Sequence, residues 1–374
     1  MKKFQLYATM GSGFEDVVAK ELHALGYETR TEKGRVFFEG TQEDIARCNL
    51  WLRTADRIKI LLKEFKATDF TTLYDETYAY DWAMLLPPDA AFPVKGRSVR
   101  SKLHSEPDVQ RIVKKAIVDK MSKQYRRRGV LPENGTLYQL DIHIYQDKAR
   151  LSLDTTGDSL FKRGYRIEHG GAPLKENFAA SLIKLTIYDG THPFVDPMCG
   201  SGTLPIEAAM IAKNIAPGLK RDFSFDKFDW FDQKLHQNLI EEAKSMQTPA
   251  QAPIWASDID QSILEVAKLN AHNAGVLQDI RFKQVAVKDF KTDLTNGVIV
   301  SNPPYGKRLK DRQGAEALYE QMGEVLKPLS SFSQYYLTAD QKFEDFYGKK
   351  ANKKRKFFNG NLPVIFYQYW AKWN

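Results

Sequence analysis

The stretch that decides the fold is FVDPMCGSGT, residues 194–203. Two apolar residues lead into an acid, Asp196, and a Gly-x-Gly turn then opens a helical pattern near 203–213. Gly200 and Gly202 allow the backbone to approach a bound molecule closely, and a helix N-terminus lies behind them. A strand that passes through such a turn into a helix is typical of the first unit of a doubly wound α/β sheet.

The same alternation of short apolar strands with helices continues through the second half of the chain. We predict strands at 193–196, 254–258, 280–285 and 297–301, and helices at 203–213 and 261–274. Such alternation favours a parallel, Rossmann-like sheet. The chain then reads as a hairpin over Asn359-Gly360, with strands at 356–358 and 364–370.

The first half of the chain shows a different order of predicted strands and helices. We predict an α+β arrangement in which strands near 4–8, 57–65, 91–99, 137–145 and 148–154 mix with helices near 14–25, 41–50, 70–80 and 107–125. A chain of 374 residues exceeds the usual single-domain size of about 100–200. We therefore expect an N-terminal lobe at 1–40, a second module at 41–160 and a doubly wound domain at 161–374.

The Gly-x-Gly turn is the first candidate binding site. A dinucleotide would require a third glycine at position 205, which is Pro205 here. An acid at the strand end instead suits S-adenosylmethionine, whose ammonium and ribose groups need acceptors. An ordinary glycine-rich turn is the alternative interpretation. The candidate cofactor-binding residues of this turn are Asp196, Pro197, Gly200, Gly202 and Thr203.

A second strand, 254–258, ends in an acid before the next helix. In doubly wound sheets the carboxylate after the second strand binds the ribose hydroxyls. Asp258 is the first choice for this role, and Asp260 is second because it is also placed to cap the following helix. Asp289, after the strand 280–285, could accept from the amino group of adenine.

The third motif is SNPPYG, residues 301–306, after a buried strand. Pro303 and Pro304 stiffen the loop, so the Asn302 amide oxygen and the Pro303 carbonyl can point outward as acceptors. An exocyclic base nitrogen offers matching N–H groups, and Tyr305 could stack on the base. These four residues are therefore the candidate catalytic residues, although the loop could be only a turn.

Positive charge is concentrated between residues 95 and 128. That segment holds twelve Lys or Arg residues against three acids, whereas the whole chain has a net charge of +8. Such a field attracts polyanions, and RNA or DNA is the usual partner. A solvated basic face without a partner is the alternative. The candidate RNA-binding residues are Lys95, Arg97, Arg100, Lys102, Arg126, Arg127 and Arg128.

Several classes of protein are disfavoured by the composition. The first residues become polar at Gln5 and acidic at Glu15, unlike a secretory signal, and no apolar run approaches the ~18 residues of a membrane span. We therefore expect a soluble cytoplasmic protein. Cys48 and Cys199 lack clustered histidine partners, so we expect free thiols and no metal site.

With these motifs in place, the chain resembles a known family, the THUMP-domain methyltransferases, and within it the bacterial enzymes that methylate guanine N2 in 23S rRNA. The similarity spans nearly the whole chain. Its strongest stretches are LDTTGDSLFKRGYR at 153–166, APLKEN at 172–177 and DPMCGSGT at 196–203. The resemblance implies a ferredoxin-like lobe, a THUMP domain that binds structured RNA, and a class I methyltransferase domain that uses S-adenosylmethionine.

One position departs from the family. Relatives often carry an acid directly after the third strand, where this chain has Ala286, so adenine recognition by Asp289 is in doubt. Two rival functions also stay open. One is an adenine N6 methyltransferase acting on DNA or RNA, because the same Asn-Pro-Pro-Tyr loop serves any planar exocyclic amine. The other is an RNA-binding ribosome-assembly factor that has lost catalysis.

Overall fold

The computed structural model describes residues 2–127, 130–167, 173–305 and 309–371, without the side chains of 309–312. The chain forms two compact units. The N-terminal unit comprises Met1–Met10, Ala19–Leu160 and Asp222–Glu241, and the C-terminal unit comprises Gly11–Val18, Phe161–Arg221 and Glu242–Asn374. Within the described residues, no helix is both long enough and apolar enough to cross a membrane.

The first part of the chain alternates strands and helices as the sequence predicts. Its elements are β1 Phe4–Thr9, α1 Glu15–Ala24, β2 Arg30–Glu32, β3 Arg35–Gly40, α2 Gln42–Trp51, β4 Arg57–Lys66, α3 Phe70–Tyr78, β5 Val94–Val99, α4 Glu106–Gln124, β6 Leu140–Tyr145 and β7 Lys148–Asp154. The strands form one sheet in the order β2-β3-β1-β4-β7-β6-β5. Only the pair β5–β6 is parallel among these described strands.

This sheet has an apolar face covered by helices. A Cβ atom on Gly40 of β3 would lie 2.7 Å from Asp44 of α2, and one on Gly96 of β5 would lie 2.7 Å from Gln110 of α4. Both helices therefore pack on the same face, because the register places Gly40 and Gly96 on it together with Leu6. Neighbouring residues along each strand point to the opposite face, which is rich in charged side chains.

Strand β5 is shorter than the predicted strand at 91–99. Pro93 has no N–H to donate to a strand ladder, although its carbonyl accepts from Leu140. The regular strand therefore begins at Val94. Ahead of it, Ala91 makes an isolated bridge with Leu137.

The second part of the chain contains the predicted doubly wound sheet. Its elements are α5 Glu176–Lys184, β8 Phe194–Asp196, α6 Thr203–Ala212, α7 Gln233–Ser245, β9 Ile254–Asp258, α8 Gln261–Ala274, β10 Ile280–Gln284, β11 Val298–Ser301, α9 Leu309–Leu326, β12 Ser333–Thr338, α10 Phe343–Tyr347, β13 Lys353–Asn359 and β14 Leu362–Tyr369. The sheet order is β10-β9-β8-β11-β12-β14-β13.

The order of these strands determines where a ligand can bind. Strands β10, β9, β8, β11 and β12 are parallel, while β14 runs antiparallel to both of its neighbours, β12 and β13. The chain starts at β8 and winds outward in both directions, so the loops after β8, β9 and β11 meet at one edge. The sequence predicted β8 to β11 but not β12, whose six residues are all buried and show no strand alternation.

Helices α9 and α10 cover one side of the C-terminal sheet. Tyr319 and Met322 of α9 pack with Phe343 and Tyr347 of α10 in a cluster that also contains Ile299 of β11. At the point where these helices meet, a Cβ atom on Gly323 would lie only 2.3 Å from the Tyr347 carbonyl oxygen. A glycine is therefore required for this close approach.

We expect Gly323→Ala to lower the free energy of unfolding by about 1–3 kcal/mol, because the added methyl must push α10 away from α9. The matched control is Gly314→Ala in the same helix, where no described atom lies within 4 Å of the new Cβ. That change should raise the free energy of unfolding by about 0.5–1 kcal/mol. Urea unfolding of both variants measures the two effects, and equal effects would contradict the packing described here.

Candidate active site

Asp196 joins the loops that follow β8 and β11. Its side chain is only 1% exposed, and its Oδ1 accepts hydrogen bonds from the Ser301 hydroxyl at 2.7 Å and the Met198 N–H at 3.2 Å. Burial raises the pKa of Asp196 to about 7; the Asp258 charge adds to the rise, whereas the two hydrogen bonds oppose it. Asp196 therefore holds two loops together and changes charge near neutral pH.

The Gly-x-Gly turn binds the acid at the end of β9. The Gly200 N–H donates to Asp258 Oδ2 at 2.9 Å, and Asp258 Oδ1 accepts from the Asp260 N–H at 3.1 Å. Gly200 and Gly202 have φ values of +52° and +85°, and a Cβ on Gly202 would lie 3.0 Å from Ala267 of α8. Both positions need glycine because their φ values are positive. Gly202 needs it for a second reason, since a side chain there would crowd Ala267.

Asp260 caps the helix after β9, as the sequence predicted. Its carboxylate accepts from the Ser262 N–H at 2.8 Å at the N-terminus of α8. Asp258 is the acid of the pair that lies against the Gly-x-Gly turn. The next residue, Ile259, is a large apolar side chain that is 69% exposed. An exposed isoleucine beside Asp258 was not predicted, although its place between two acids could have drawn attention to it.

A network around Arg166 supports the turn from behind and was also missed. The Arg166 guanidinium donates to Glu176 Oε1 at 2.6 Å, to Thr203 Oγ1 at 2.8 Å and to Ser201 Oγ at 3.3 Å. The Thr203 hydroxyl is therefore engaged within the protein. Glu176 is buried, and burial raises its pKa while Arg166 lowers it. Arg166 and Glu176 are separated in sequence from the turn that they support, so no local pattern shows the contact.

The Asn-Pro-Pro-Tyr loop is fixed by contacts at both prolines. Pro303 is buried, and the Tyr319 hydroxyl of α9 donates to the Pro304 carbonyl at 2.8 Å. Tyr319 is also hydrogen-bonded to the Thr338 hydroxyl at 3.0 Å. Helix α9 and strand β12 thus hold the loop in place, while Gly306, the last residue of the motif, lies outside the described residues.

Tyr305 turns its hydroxyl toward Asn302. The hydroxyl donates to Asn302 Oδ1 and also contacts the Asn359 side chain. Burial raises the pKa of Tyr305 well above its usual value, so the hydroxyl stays protonated. A carbonyl oxygen has two lone pairs, so Asn302 Oδ1 can accept one further N–H.

An exposed aromatic side chain lies next to Asn359. Phe358 is 65% exposed, whereas its neighbour Phe357 is buried and stacks on Phe14 with ring centroids 4.3 Å apart. Successive residues of a strand point to opposite faces, which explains the difference. The sequence pattern predicted only that Phe358 belongs to a hairpin, although an apolar phenylalanine directly before the polar Asn359-Gly360 turn could have drawn attention to it.

Asp289 borders a cavity of about 340 Å³ on one face of the paired strands β9 and β10. Asp289 itself is exposed and ends a short turn, Val287–Asp289. The lining mixes apolar and charged side chains with Ser257, the residue before Asp258. It includes Trp255, Ser257, Val285, Phe290 and the charged Arg281, Lys283, Asp289, Lys291 and Asp293.

The basic segment is divided by the structure into two groups. Arg111, Lys114 and Lys115 of α4 form ion pairs with Asp108, Glu133 and Asp119, at 2.9, 2.6 and 2.7 Å. The other group is exposed at the edge strand β5, just after it, and after α4, and consists of Lys95, Arg97, Arg100, Lys102, Arg126 and Arg127. Arg128, the remaining candidate, lies outside the described residues.

Among the described side chains, no group of three or more His, Cys, Asp or Glu residues is arranged to hold a metal ion. Cys48 and Cys199 are buried free thiols, and burial raises the pKa of both.

Comparison with protein families divides the chain into three matches. Residues 163–368 match the family described as RMKL-like, methyltransferase domain. Residues 5–59 match the RlmL ferredoxin-like domain, and residues 67–154 match the THUMP domain.

Individual relatives match over the whole chain. YpsC of Bacillus subtilis, provisionally named an RNA methyltransferase, is 48% identical over 100% of this chain and 97% of its own length. The ribosomal RNA large subunit methyltransferase K/L of Vibrio parahaemolyticus is 35% identical over 96% of this chain, which spans 52% of that longer relative. The crystal structure of SMU.472, provisionally named a methyltransferase and complexed with SAH, has a TM-score of 0.95, 48% identity and full coverage of both chains.

The titration of Asp196 predicts a pH-dependent effect of Asp196→Asn. Folding raises the pKa of this carboxyl from 3.8 to about 7, so the folded state holds a proton that the unfolded state releases between these values. The wild type therefore loses stability from this group as pH rises through that window, by up to about 1.4 kcal/mol per pH unit. The asparagine has no such titration.

The stability of Asp196→Asn relative to the wild type should consequently increase from about pH 4 to about pH 7 and then level off. Urea unfolding of both proteins at several pH values measures this difference. A difference that does not change with pH would show that Asp196 titrates normally in the folded protein.

Proposed function

Since the chain belongs to the RMKL-like methyltransferase family and carries an RlmL ferredoxin-like domain and a THUMP domain, we propose that it methylates guanine N2 in large-subunit, 23S ribosomal RNA. The broader activity is S-adenosylmethionine-dependent methylation of RNA. The observation that supports the site best is the adjacency of β9, β8 and β11, whose loops carry Asp258, the Gly-x-Gly turn and Asn302.

The cofactor fits the acids and the turn at these strand ends. Asp258 accepts hydrogen bonds from the ribose hydroxyls. Its two carboxylate oxygens also accept from the Gly200 and Asp260 N–H groups, and each oxygen has a further lone pair for a ribose hydroxyl. The exposed Ile259 offers an apolar surface to the adenine ring. Asp289 lines the cavity on the face of β9 and β10. The SMU.472 structure, with SAH bound and 48% identity, supports this assignment.

Asp196 and the buried residues of the turn support the cofactor indirectly. The Asp196 carboxylate is hydrogen-bonded within the protein, and Pro197 is buried, with its carbonyl 3.3 Å from the Ser257 hydroxyl that donates to it. A nearby positive charge favours the ionised form of a buried carboxyl. The sulfonium and ammonium groups of the cofactor would therefore lower the pKa of Asp196.

Methyl transfer requires a nitrogen held in line with an activated methyl group, which S-adenosylmethionine supplies on its sulfonium. Asn302 Oδ1 and the Pro303 carbonyl accept the N–H groups of the exocyclic amine and orient its lone pair. As the new N–C bond forms, the bond from the methyl group to the sulfonium sulfur would break, and the neutral thioether S-adenosylhomocysteine would leave. Positive charge grows on the nitrogen meanwhile, and these acceptors bind more strongly. The methylated nitrogen then loses its extra proton to solvent water. Tyr305, with Phe358 nearby on the hairpin, offers an aromatic surface for the target base.

Large-subunit RNA is proposed as the substrate from two observations. The THUMP match at 67–154 contains β5 and α4, at and after which the exposed cations lie. The Vibrio parahaemolyticus relative is named for methylation of large-subunit ribosomal RNA. The domain division at 1–40, 41–160 and 161–374 stays a prediction, as does the role of each RNA-binding residue.

Replacing Asp258 tests the cofactor site. Charge-assisted hydrogen bonds contribute about 1.5–3 kcal/mol, so Asp258→Ala should weaken S-adenosylmethionine binding roughly tenfold to a hundredfold. The matched control is Asp260→Ala, which removes a neighbouring acid whose bond is to the helix. It should leave cofactor affinity nearly unchanged. Calorimetric titration measures both, and wild-type affinity in Asp258→Ala would remove this residue from the site.

Replacing Asn302 tests the chemistry. Loss of one preorganised polar group slows comparable reactions about 10²–10³-fold, and we expect Asn302→Ala to slow the chemical step by this amount. Tyr305→Phe is the control because it keeps the aromatic ring and removes only the hydroxyl bonded to Asn302. Its effect should be mild. A wild-type rate for Asn302→Ala under saturating RNA, in single-turnover tritium transfer, would show that the loop is structural.

The same assay separates the rival functions. Transfer of tritium to RNA, followed by recovery of labelled N2-methylguanosine, is the expected result. Label recovered as N6-methyladenosine, in RNA or in DNA, would instead indicate an adenine methyltransferase. Cofactor binding without transfer to any nucleic acid would indicate a non-catalytic RNA-binding factor.

A further inference from the structure

The polar face of the N-terminal sheet is concave. Arg150 of β7 reaches Glu32 of β2 at 2.6 Å, although β4, β1 and β3 lie between these two strands. Neighbouring strands are about 4.8 Å apart, so a flat sheet would separate β7 from β2 too far for this contact. The sheet must therefore curve toward its polar face, and its side chains converge there.

Most charges on this face are neutralised by partners. Arg150 is held by both Glu32 and Glu64, at 2.6 and 2.5 Å. Further pairs join the strands β4, β7 and β6 and leave little net charge around them. These pairs are Arg57 with Asp154 at 2.6 Å, Lys59 with Asp141 at 2.9 Å and Lys148 with Glu64 at 2.5 Å.

Three residues on the same face form no ion pair among the described residues, although Arg35 is hydrogen-bonded to Tyr7 and lies opposite Glu32 in the register. Arg97 of β5 lies opposite His143 of β6 in the register, and Arg35 of β3 lies close enough to influence His143 electrostatically. Neither arginine forms an ion pair with an acid in the described part of the chain.

Within the residues that the structure describes, Arg35 Nε and His143 Nδ1 are buried and have no hydrogen-bond partner. A third atom on this face, Asp141 Oδ2, also has no hydrogen-bond partner there but lies 2.9 Å from Lys59 Nζ. Arg35 Nε and His143 Nδ1 have no such ion pair in the described residues and indicate a missing polar group.

The imidazole of His143 is neutral at physiological pH. Burial, together with the positive charges of Arg35, Arg97, Arg150 and Lys59, lowers the pKa of His143 to about 4. Two of these cations, Lys59 and Arg150, are paired with acids, as described above. A neutral imidazole can donate one N–H without adding to the local charge, and Arg35 Nε can only donate. The group that satisfies both is therefore an acceptor, and two guanidinium groups without an ion pair in the described residues favour one with a negative charge.

We propose that Arg35, Arg97 and His143 form a pocket for a phosphodiester of the RNA backbone. Phosphate oxygens match both the fork of a guanidinium group and a single imidazole N–H. Arg97 lies on the edge strand, from which Lys95, Arg100 and Lys102 extend as exposed cations along the path of a nucleic acid strand. This inference rests on the proposed function, since it assigns a contact to the same RNA substrate.

Salt dependence of RNA binding tests the pocket. Arg97→Gln and Arg35→Gln should each flatten the slope of log K against log salt for a 23S rRNA transcript by about 0.7–0.9. Arg111→Gln is the matched control, because it removes an equally charged residue that is paired with Asp108 on the surface of α4. Its slope should equal that of the wild type. Unchanged slopes in both Arg97→Gln and Arg35→Gln would overturn the pocket.

The signal of the His143 imidazole measures RNA binding at the pocket itself. It therefore distinguishes loss of this contact from misfolding of a variant. In protein with labelled histidines, the wild-type transcript complex should shift the His143 signal, assigned with His143→Gln, whereas the Arg97→Gln complex should not. Arg97 is exposed, so this variant is expected to keep the wild-type melting temperature and cofactor affinity. A His143 signal that does not move when wild-type protein binds the transcript would also overturn the proposal.

Two further experiments complete the test. One identifies the source of the phosphate, and the other separates failure of the pocket from failure of the proposed function. Inorganic phosphate alone should produce at most a small shift at millimolar concentration; a full shift without any effect of Arg97→Gln on RNA binding would indicate a free-phosphate site and overturn the RNA assignment. Tritium transfer by the wild type tests the proposed function separately. Intact transfer with unchanged slopes in the variants would contradict the pocket alone.

Discussion

The hydrogen bond from the Ser301 hydroxyl to the buried Asp196 carboxylate, 2.7 Å long, connects the Gly-x-Gly turn to the Asn-Pro-Pro-Tyr loop. Both residues end parallel strands that lie side by side, and both side chains are almost fully buried. In a region of low dielectric such a bond is strong, and an unpaired carboxylate would be costly. The relative position of the turn and of Asn302 depends on this contact.

Other contacts extend this arrangement outward. The Gly200 N–H donates to Asp258 and so connects the Gly-x-Gly turn to the end of β9. The Tyr319 hydroxyl donates to the Pro304 carbonyl and so connects the Asn-Pro-Pro-Tyr loop to α9. Arg166 braces Ser201 and Thr203 from the other side. Each loop is thereby fixed through hydrogen bonds at its own backbone or side chains. A methyl donor and an amine can then be held in one geometry without large rearrangement.

Much of the fold could be predicted from local patterns, because the elements that form it have clear periodicity or clear turn residues. The sequence shows where strands end, and this was enough to predict the turn at Gly200 and Gly202. The same signal predicted Asp258 at the end of a strand and Asp260 as the cap of the next helix. Strand β12 could not be recognised in the same way, since all its residues are buried and no alternation is visible. The Arg166 network and the Tyr319 contact join residues distant in sequence. Likewise, charge density alone did not show that Arg111, Lys114 and Lys115 are paired.

Nucleoside mass spectrometry of 23S rRNA from a strain that lacks the gene tests the central claim most directly. If the chain methylates guanine N2, one N2-methylguanosine disappears, and expression of the wild-type chain restores it, whereas expression of the Asn302→Ala chain does not. An unchanged content of N2-methylguanosine in the deletion strain, or restoration by Asn302→Ala to the wild-type level, would contradict this claim.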